Sequence, residues 1–354
     1  MLQSPTPEEI ARAARLIRAG CLVAFPTETV YGLGANALDA EAVARIFAVK
    51  GRPATSPLIV HVASIEMAQS LAVDWPKTAC LLAEKFWSGP LTLVVKKQSL
   101  VPDIVTAGLP TVGLRLPAHP VAVALIQAAG VPLAAPSANR FTELSPTRAE
   151  HVRGSLGNDV DMILDGGPCE IGIESTVLSL AEPQPVLLRP GGISRPELEA
   201  VIGDIAFAPQ IPRTDDVRHL AGVAHPSPGM HARHYSPRTS LLLVSDGKLP
   251  EQGKGIYLQH TRPVTYRAGS GPPPANTNTL GHPGNSNKEL INTGSANFTI
   301  LQMPIAPADY AAALYDKLHQ ADEANADWIA VDLPPDTPEW EAVNDRLRRA
   351  ATRE

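Results

Sequence analysis

A chain of 354 residues with 44% hydrophobic and 19% charged side chains can bury a sizeable core and is long enough for two domains. Its formal charge of −6 excludes the basic excess on which general nucleic-acid binding depends. Cys21, Cys80 and Cys169 are too scattered for a zinc site or a disulfide framework, and no apolar run approaches the ~20 residues of a membrane span, so a cytoplasmic protein is expected.

Thr6-Pro7-Glu8-Glu9 opens an amphipathic helix with a hydroxyl cap, proline in the first turn and acids against the dipole; it lacks the basic start of a signal peptide. "LVAF" (22–25) is a short buried strand, followed by Thr27, Glu28, Thr29 and Tyr31 on a turn punctuated by glycines. A helix capped by Asp39 and ended by Gly51 comes next, then the strand "PLIVHV", the helix "KTACLLAEKFWSG" and the strands "LTLVVKK" and "TVGLRLP". "HPVAVALIQAAG" is a helix, "VPLAAPSAN" a strand running into a loop, and "VDMILDGG" and "STVLSL" are further strands. Strands outnumber helices in the later part, so a twisted mixed α/β sheet is expected over residues 1–202. Residues 203–238 lack periodicity and read as a linker. Residues 239–354 carry strand, helix, strand, helix, which suggests a smaller Rossmann-like unit without a GxGxxG turn. Within it, 261–297 is rich in Gly, Pro, Asn, Ser and Thr and is expected to be a mobile loop.

Polar clusters follow the buried strands. Lys50, Arg52 and Ser56 in "KGRPATSP" form either an anion clamp or a solvated helix end. His61 in "LIVHVA" is a core histidine or a site residue. Arg115 in "VGLRLP" cannot stay buried unpaired and needs a carboxylate, either internal or from a ligand. Ser137, Asn139 and Ser145 sit among prolines in "PSANRFTELSPT". Glu174, Ser175 and Thr176 precede a strand, and Arg189 ends one beside two glycines. The linker holds His231, Arg233, His234 and Tyr235 in "SPGMHARHYSP"; two histidines without a third ligand make a weak metal site, and no metal-holding side chain is assigned. There is no GxSxG, no Walker turn and no nucleophile with its base. The inventory suits orienting an anionic, multi-oxygen ligand, as phosphoryl or nucleotidyl transfer requires.

"FPTETVYGLGANA", "KGRP…SPLIVHV", "GPLTLVV", "VGLRLPAHP", "PLAAPSAN…SPT", "ESTVLSL" and "LLRPGGIS", in this order, resemble the YrdC-type domain of threonylcarbamoyl-AMP synthases. The linker and the C-terminal helix "NDRLRRAA" resemble the long form of that family; the stretch 261–297 departs from it. The resemblance implies an enzyme that converts L-threonine, bicarbonate and ATP, with magnesium, into threonylcarbamoyl-AMP and pyrophosphate. A separate transferase complex then modifies tRNA; direct tRNA binding by this chain is left open. It places Thr27, His61, Arg115 and Ser175 on threonine, Arg115 pairing the substrate carboxylate. Lys50 and Arg52 are the implied catalytic cations and, with Ser56, meet the phosphates. Thr111, Ser137, Asn139, Ser145 and Arg189 join them on the nucleotide, and His234 and Tyr235 close over it from the linker. Two other readings compete: an RNA-binding module on the same concave basic face, and carbamoyl transfer from a different donor.

Overall fold

The computed structural model describes residues 4–208, 234–245, 248–260, 288–292 and 296–352. The first helix, α1 (Pro7–Arg18), starts where the sequence directs: Thr6 Oγ accepts from the Glu9 amide while Glu9 reaches back to the Thr6 amide. In chain order follow β1 (Val23–Phe25), β2 (Gly32–Asn36), α2 (Ala40–Lys50), β3 (Ile59–His61), α3 (Ile65–Ser70), α4 (Lys77–Phe86), β4 (Leu91–Lys96), α5 (Asp103–Thr106) and β5 (Thr111–Arg115). Next are α6 (Pro120–Ala129), β6 (Leu133–Ala134), α7 (Ala149–Leu156), β7 (Met162–Ile163), β8 (Thr176–Ser179), β9 (Val186–Arg189), α8 (Arg195–Ile202) and β10 (Ala206–Phe207). These ten strands form one mixed sheet in the order β10-β9-β8-β4-β5-β3-β6-β2-β1-β7, the mixed α/β architecture expected from the sequence.

The second unit comprises β11 (Ser240–Val244), β12 (Gly253–Gln259), β13 (Lys288–Asn292), β14 (Ala296–Gln302), α9 (Pro307–Glu323), β15 (Trp328–Asp332) and α10 (Glu341–Ala350). Its sheet runs β11-β15-β12-β14-β13, parallel except for the antiparallel β13 edge.

Two expectations change. The turn "GLGAN" is strand β2, pairing with both β1 and β6. Glycine disguises it, yet glycine is what the packing needs: a Cβ on Gly34 would lie 2.7 Å from the Phe25 ring. The loop expected over 261–297 is also not a loop throughout, because 288–292 and 296–297 belong to β13 and β14. The rest of that stretch, and linker residues 209–233 with His231 and Arg233, lie outside the described residues.

Strand alternation positions the site. Val60 and Leu114 point into the core beneath the sheet, so their neighbours His61 and Arg115 emerge on the opposite face. The parallel register of β3 and β5 sets His61 directly beside Arg115.

The two units share a core. Val30, Leu144 and Ile173 of the first pack in one cluster with Tyr310, Ala311, Leu314 and Leu318 of α9. Around it, Arg148 pairs with Asp316 at 2.5 Å, and His151 stacks on His319 with ring centroids 3.8 Å apart. Closest of all is Gly172, which has φ +74° and whose absent Cβ would meet the α9 backbone at Ala312 at 2.5 Å. Gly172→Ala should therefore loosen the junction, costing about 1–3 kcal/mol from overpacking and ~1–2 kcal/mol from the left-handed backbone. Urea unfolding checks this; a midpoint equal to wild type would show that the contact is not tight.

Candidate active site

A cavity enclosing about 540 Å³, its open mouth included, lies on the sheet face where β1, β3, β5 and β6 give way to their loops. Its walls include Thr27, Arg52, His61, Arg115, Ser137, Ser175, Arg189, His234 and Tyr235, all sequence candidates, together with Glu174.

Arg115 finds an internal partner. Its Nη2 donates to Glu28 Oε1 at 2.5 Å and its Nε to the Gly89 carbonyl at 3.2 Å. Glu28 also accepts from the Ala118 amide at 2.9 Å. Burial works to raise the Glu28 carboxyl, but the Arg115 charge and these hydrogen bonds bring it below its ordinary 4.5. The need for a carboxylate is thus met within the chain, while Nη1 of Arg115 has no hydrogen-bond partner among the described residues. Arg52 repeats the arrangement: Nε and Nη2 donate to the carbonyls of Ser56 and Pro57 at 3.3 and 3.0 Å, and Nη1 has none.

His61 is 3% exposed, its Nδ1 has no partner among the described residues, and burial beside Arg115 pushes its pKa down to about 3, so the ring is neutral. It contributes a dipole and not a charge. Arg189 binds the turn before β8, donating through Nε and Nη2 to the Ser175 carbonyl at 3.1 and 2.9 Å and through Nη2 to Ser175 Oγ at 3.2 Å. Ser175 Oγ also meets Thr92 Oγ1 at 2.8 Å. Tyr235 is buried at φ +62°, and its hydroxyl has no partner among the described residues.

Other candidates stand behind the wall. The Thr27 hydroxyl donates to the Val30 carbonyl at 2.6 Å and meets Thr29 Oγ1 at 2.8 Å, bracing the turn while its side chain borders the cavity. Lys50 is buried, and Nζ donates to the carbonyls of Ser137 (2.6 Å) and Asn139, tying α2 to that loop. Burial and nearby Arg52 lower its pKa well below the usual lysine range. Asn139 donates to the carbonyls of Arg140 and Glu143 at 2.8 and 3.0 Å, and Ser145 donates to Glu174 at 2.6 Å. Ser56 is buried under Arg52. Thr111 borders a second, mostly apolar crevice of about 300 Å³, open solvent included, that shares Ile59 with the first.

Two groups escaped the sequence reading. In the sequence Glu28 reads only as part of a turn, yet it neutralises Arg115. Arg346 of α10 is fully buried, and its Nε donates to Glu174 at 2.7 Å. Its position offered a signal: it shares the helix face of Ala342, Val343, Leu347 and Ala350, all buried.

The fold and the cavity define an α/β protein with an arginine-lined pocket on one face of its larger sheet. A family model named for Sua5, YciO and YrdC and described as "Telomere recombination" matches residues 15–191. One described as "Threonylcarbamoyl-AMP synthase, C-terminal domain" matches 193–352. The threonylcarbamoyl-AMP synthase of Bacillus subtilis is 42% identical over 98% of this chain and 94% of its own length. That of Pyrococcus abyssi is 50% identical over 67% of this chain and 68% of its own. A crystal structure of P. abyssi Sua5 complexed with L-threonine superposes with a TM-score of 0.80 at 37% identity, covering 99% of this chain and 96% of that one. The chain belongs to the threonylcarbamoyl-AMP synthase family, in the two-unit Sua5 form.

The buried Glu28–Arg115 pair generates a stability prediction. Glu28→Gln leaves the guanidinium uncompensated and should cost ~3–5 kcal/mol at neutral pH. The wild-type contribution exists above the ordinary carboxylate value of 4.5 and fades as pH falls through the lower folded value, so the difference between the proteins should shrink in acid. Urea titrations at neutral and acid pH measure it; a difference independent of pH would contradict the pairing.

Proposed function

We propose that this enzyme makes threonylcarbamoyl-AMP and pyrophosphate from L-threonine, bicarbonate and ATP, in the cytoplasm, to supply a transferase that modifies tRNA. The observation that carries the proposal is the pair of buried cations that face one cavity. Among the described residues Arg52 donates only to backbone carbonyls, and Arg115, although paired with Glu28, has a second terminal nitrogen without a hydrogen-bond partner. A ligand with carboxylate and phosphate groups satisfies both; a neutral one does not. The relatives' names support the synthase and give no support to the RNA-binding reading.

In this reading the threonine carboxylate meets Nη1 of Arg115, with the neutral His61 ring and Ser175 beside it. Thr27 shapes that end of the pocket. The deprotonated amine adds to bicarbonate, releasing water and forming a carbamate. A carbamate oxygen then attacks the α-phosphorus of ATP, the bond to the β-phosphate oxygen breaks, and pyrophosphate leaves. Arg52 and Arg189 stabilise charge growing on the phosphate oxygens, with Lys50, Ser137, Asn139 and Ser145 holding the loops that frame them. Thr111, beyond Ile59, joins the nucleotide side of the site. His234 and Tyr235 enclose the reacting groups, excluding the water that would destroy the carbamate. Magnesium enters as part of MgATP, where it offsets phosphate charge. Among the described residues that line the cavity, Glu174 is the carboxylate, and it is already held by Arg346, Ser145 and Tyr315.

Pyrophosphate release should require threonine, bicarbonate and MgATP together. Release that continues at the same rate without threonine would overturn the assignment. Arg115→Lys keeps a cation for Glu28 but removes the guanidinium's second terminal nitrogen, so the threonine KM should rise about tenfold or more while that for ATP holds, as loss of a charged hydrogen bond implies. Equal rises for both substrates would show that Arg115 only supports the fold.

A further inference from the structure

The cavity wall formed by Glu174, Ser175, Arg189 and Tyr235 is held from behind by a residue that does not line it. Arg346 reaches three separate segments of that wall. Its Nε donates to Glu174 Oε2 at 2.7 Å, its Nη2 to the Pro190 carbonyl at 3.0 Å, and its guanidinium lies 5.1 Å from the Tyr235 ring centroid. The remaining terminal nitrogen donates to Asp345 at 2.7 Å, so the fork is fully engaged.

Each contact bears on the site. Glu174 precedes Ser175, and Pro190 follows Arg189, the residue that grips the Ser175 carbonyl. Tyr235 stands on edge against His234 at 4.0 Å and near Tyr315 of α9 at 5.9 Å. A planar guanidinium with donors in fixed directions sets the mutual distances of these three segments. A purely apolar contact would hold them together but would not fix their register.

We propose that Arg346 is a positioning residue for the reaction: it fixes Glu174, the Arg189–Pro190 turn and Tyr235 relative to one another, and so makes the second unit a working part of a site it does not line. The inference rests on the synthase reading above. It also gives Glu174 a stated condition. Burial raises that carboxyl, and the charges of Arg346 and Arg189, with hydrogen bonds from Ser145 and Arg346, bring it down. The groups facing it are Arg346 from α10, Arg189 from β9, Ser145 from its loop, Tyr315 from α9 and nearby Tyr235, with Asp345 behind Arg346. Without Arg346, burial is opposed only by Arg189 and the hydrogen bonds from Ser145 and Tyr315, and Glu174 takes up a proton at higher pH.

The test follows threonine-dependent pyrophosphate release by the full chain from acid to alkaline pH, with thermal unfolding measured on the same samples. Arg346→Met should lower kcat about ten- to hundredfold, as displaced reacting groups do. Its acid limb should also move upward by about one pH unit or more, as a carboxyl that loses its cation requires. In Arg346→Met/Glu174→Gln the rate should stay low and the displaced limb should vanish. A rate near wild type with an unmoved limb overturns the proposal. So does a loss that is equal at every pH and follows the unfolded fraction, because Arg346 then only holds the fold. If Arg346→Met does not fold, the double variant, which removes both members of the Arg346–Glu174 pair, takes its place: a folded protein with a low rate supports the proposal, and a wild-type rate overturns it. A wild-type chain without threonine-dependent release removes the synthase reading itself; an active wild type beside an unaffected Arg346→Met removes only this inference.

Discussion

Removing a guanidinium from water costs several kcal/mol unless a carboxylate and further hydrogen bonds replace the lost solvation. This chain does so repeatedly within one region, and the way each charge is compensated organises the site. Arg115 takes Glu28 across 87 residues of sequence, which pins the turn after β1 against the end of β5. Arg346 takes Glu174 across 172 residues, which pins the last helix against the turn before β8. Both turns line the cavity. The same pairs that make the arginines tolerable therefore fix the positions of the loops a substrate meets.

This arrangement explains what could be read from the sequence. Strands and helices with local signals were legible: Thr6 capping α1, Asp39 and Gly51 bounding α2, His119 and Gly130 bounding α6. The position of Arg115 inside an apolar run showed that it needed a carboxylate, because burial follows from strand alternation. Which carboxylate was not legible, since no local rule links Glu28 to a residue so distant. Glu28 stood in plain view in "PTETVYG" and its role was set by tertiary packing alone. Arg346 is the opposite case. Three arginines crowd "NDRLRRAA", and Arg348 and Arg349 retain solvent exposure while Arg346 has none. Helical spacing placed Arg346 with Val343, Leu347 and Ala350, but a charge on an apolar face reads as a defect until the surface it docks against is known. β2 was missed because strand propensity penalises glycine, whereas the Phe25 ring fills the space a side chain would need.

The boundary between units carries the same lesson at a larger scale. Composition separates residues before 203 from those after 238, and the described residues form two sheets. One core cluster nevertheless spans both units. Val30, Leu144 and Ile173 belong to the cluster built around α9, and Gly172 lets the α9 backbone approach closely. A composition profile registers where a chain lacks pattern, but a shared core forms from side chains that each look ordinary in their own segment. Two sheets with a common core and common ion pairs move less freely than two domains joined only by a linker.

Apolar burial supplies most of the attraction at this junction, yet it is non-directional and tolerates small slides. Glu174 removes that freedom because its oxygens are filled by donors from both units: Ser145 on one side, Tyr315 and Arg346 on the other. A shift of even one hydrogen-bond length between the units would leave a buried carboxylate or guanidinium unsatisfied, an outcome far costlier than the apolar area such a slide exposes. The cavity wall therefore has one low-energy register. The proposed reaction, in which a carbamate oxygen attacks a phosphorus in line with the leaving group, would gain from that single register, because its geometry would be set before the substrates arrive.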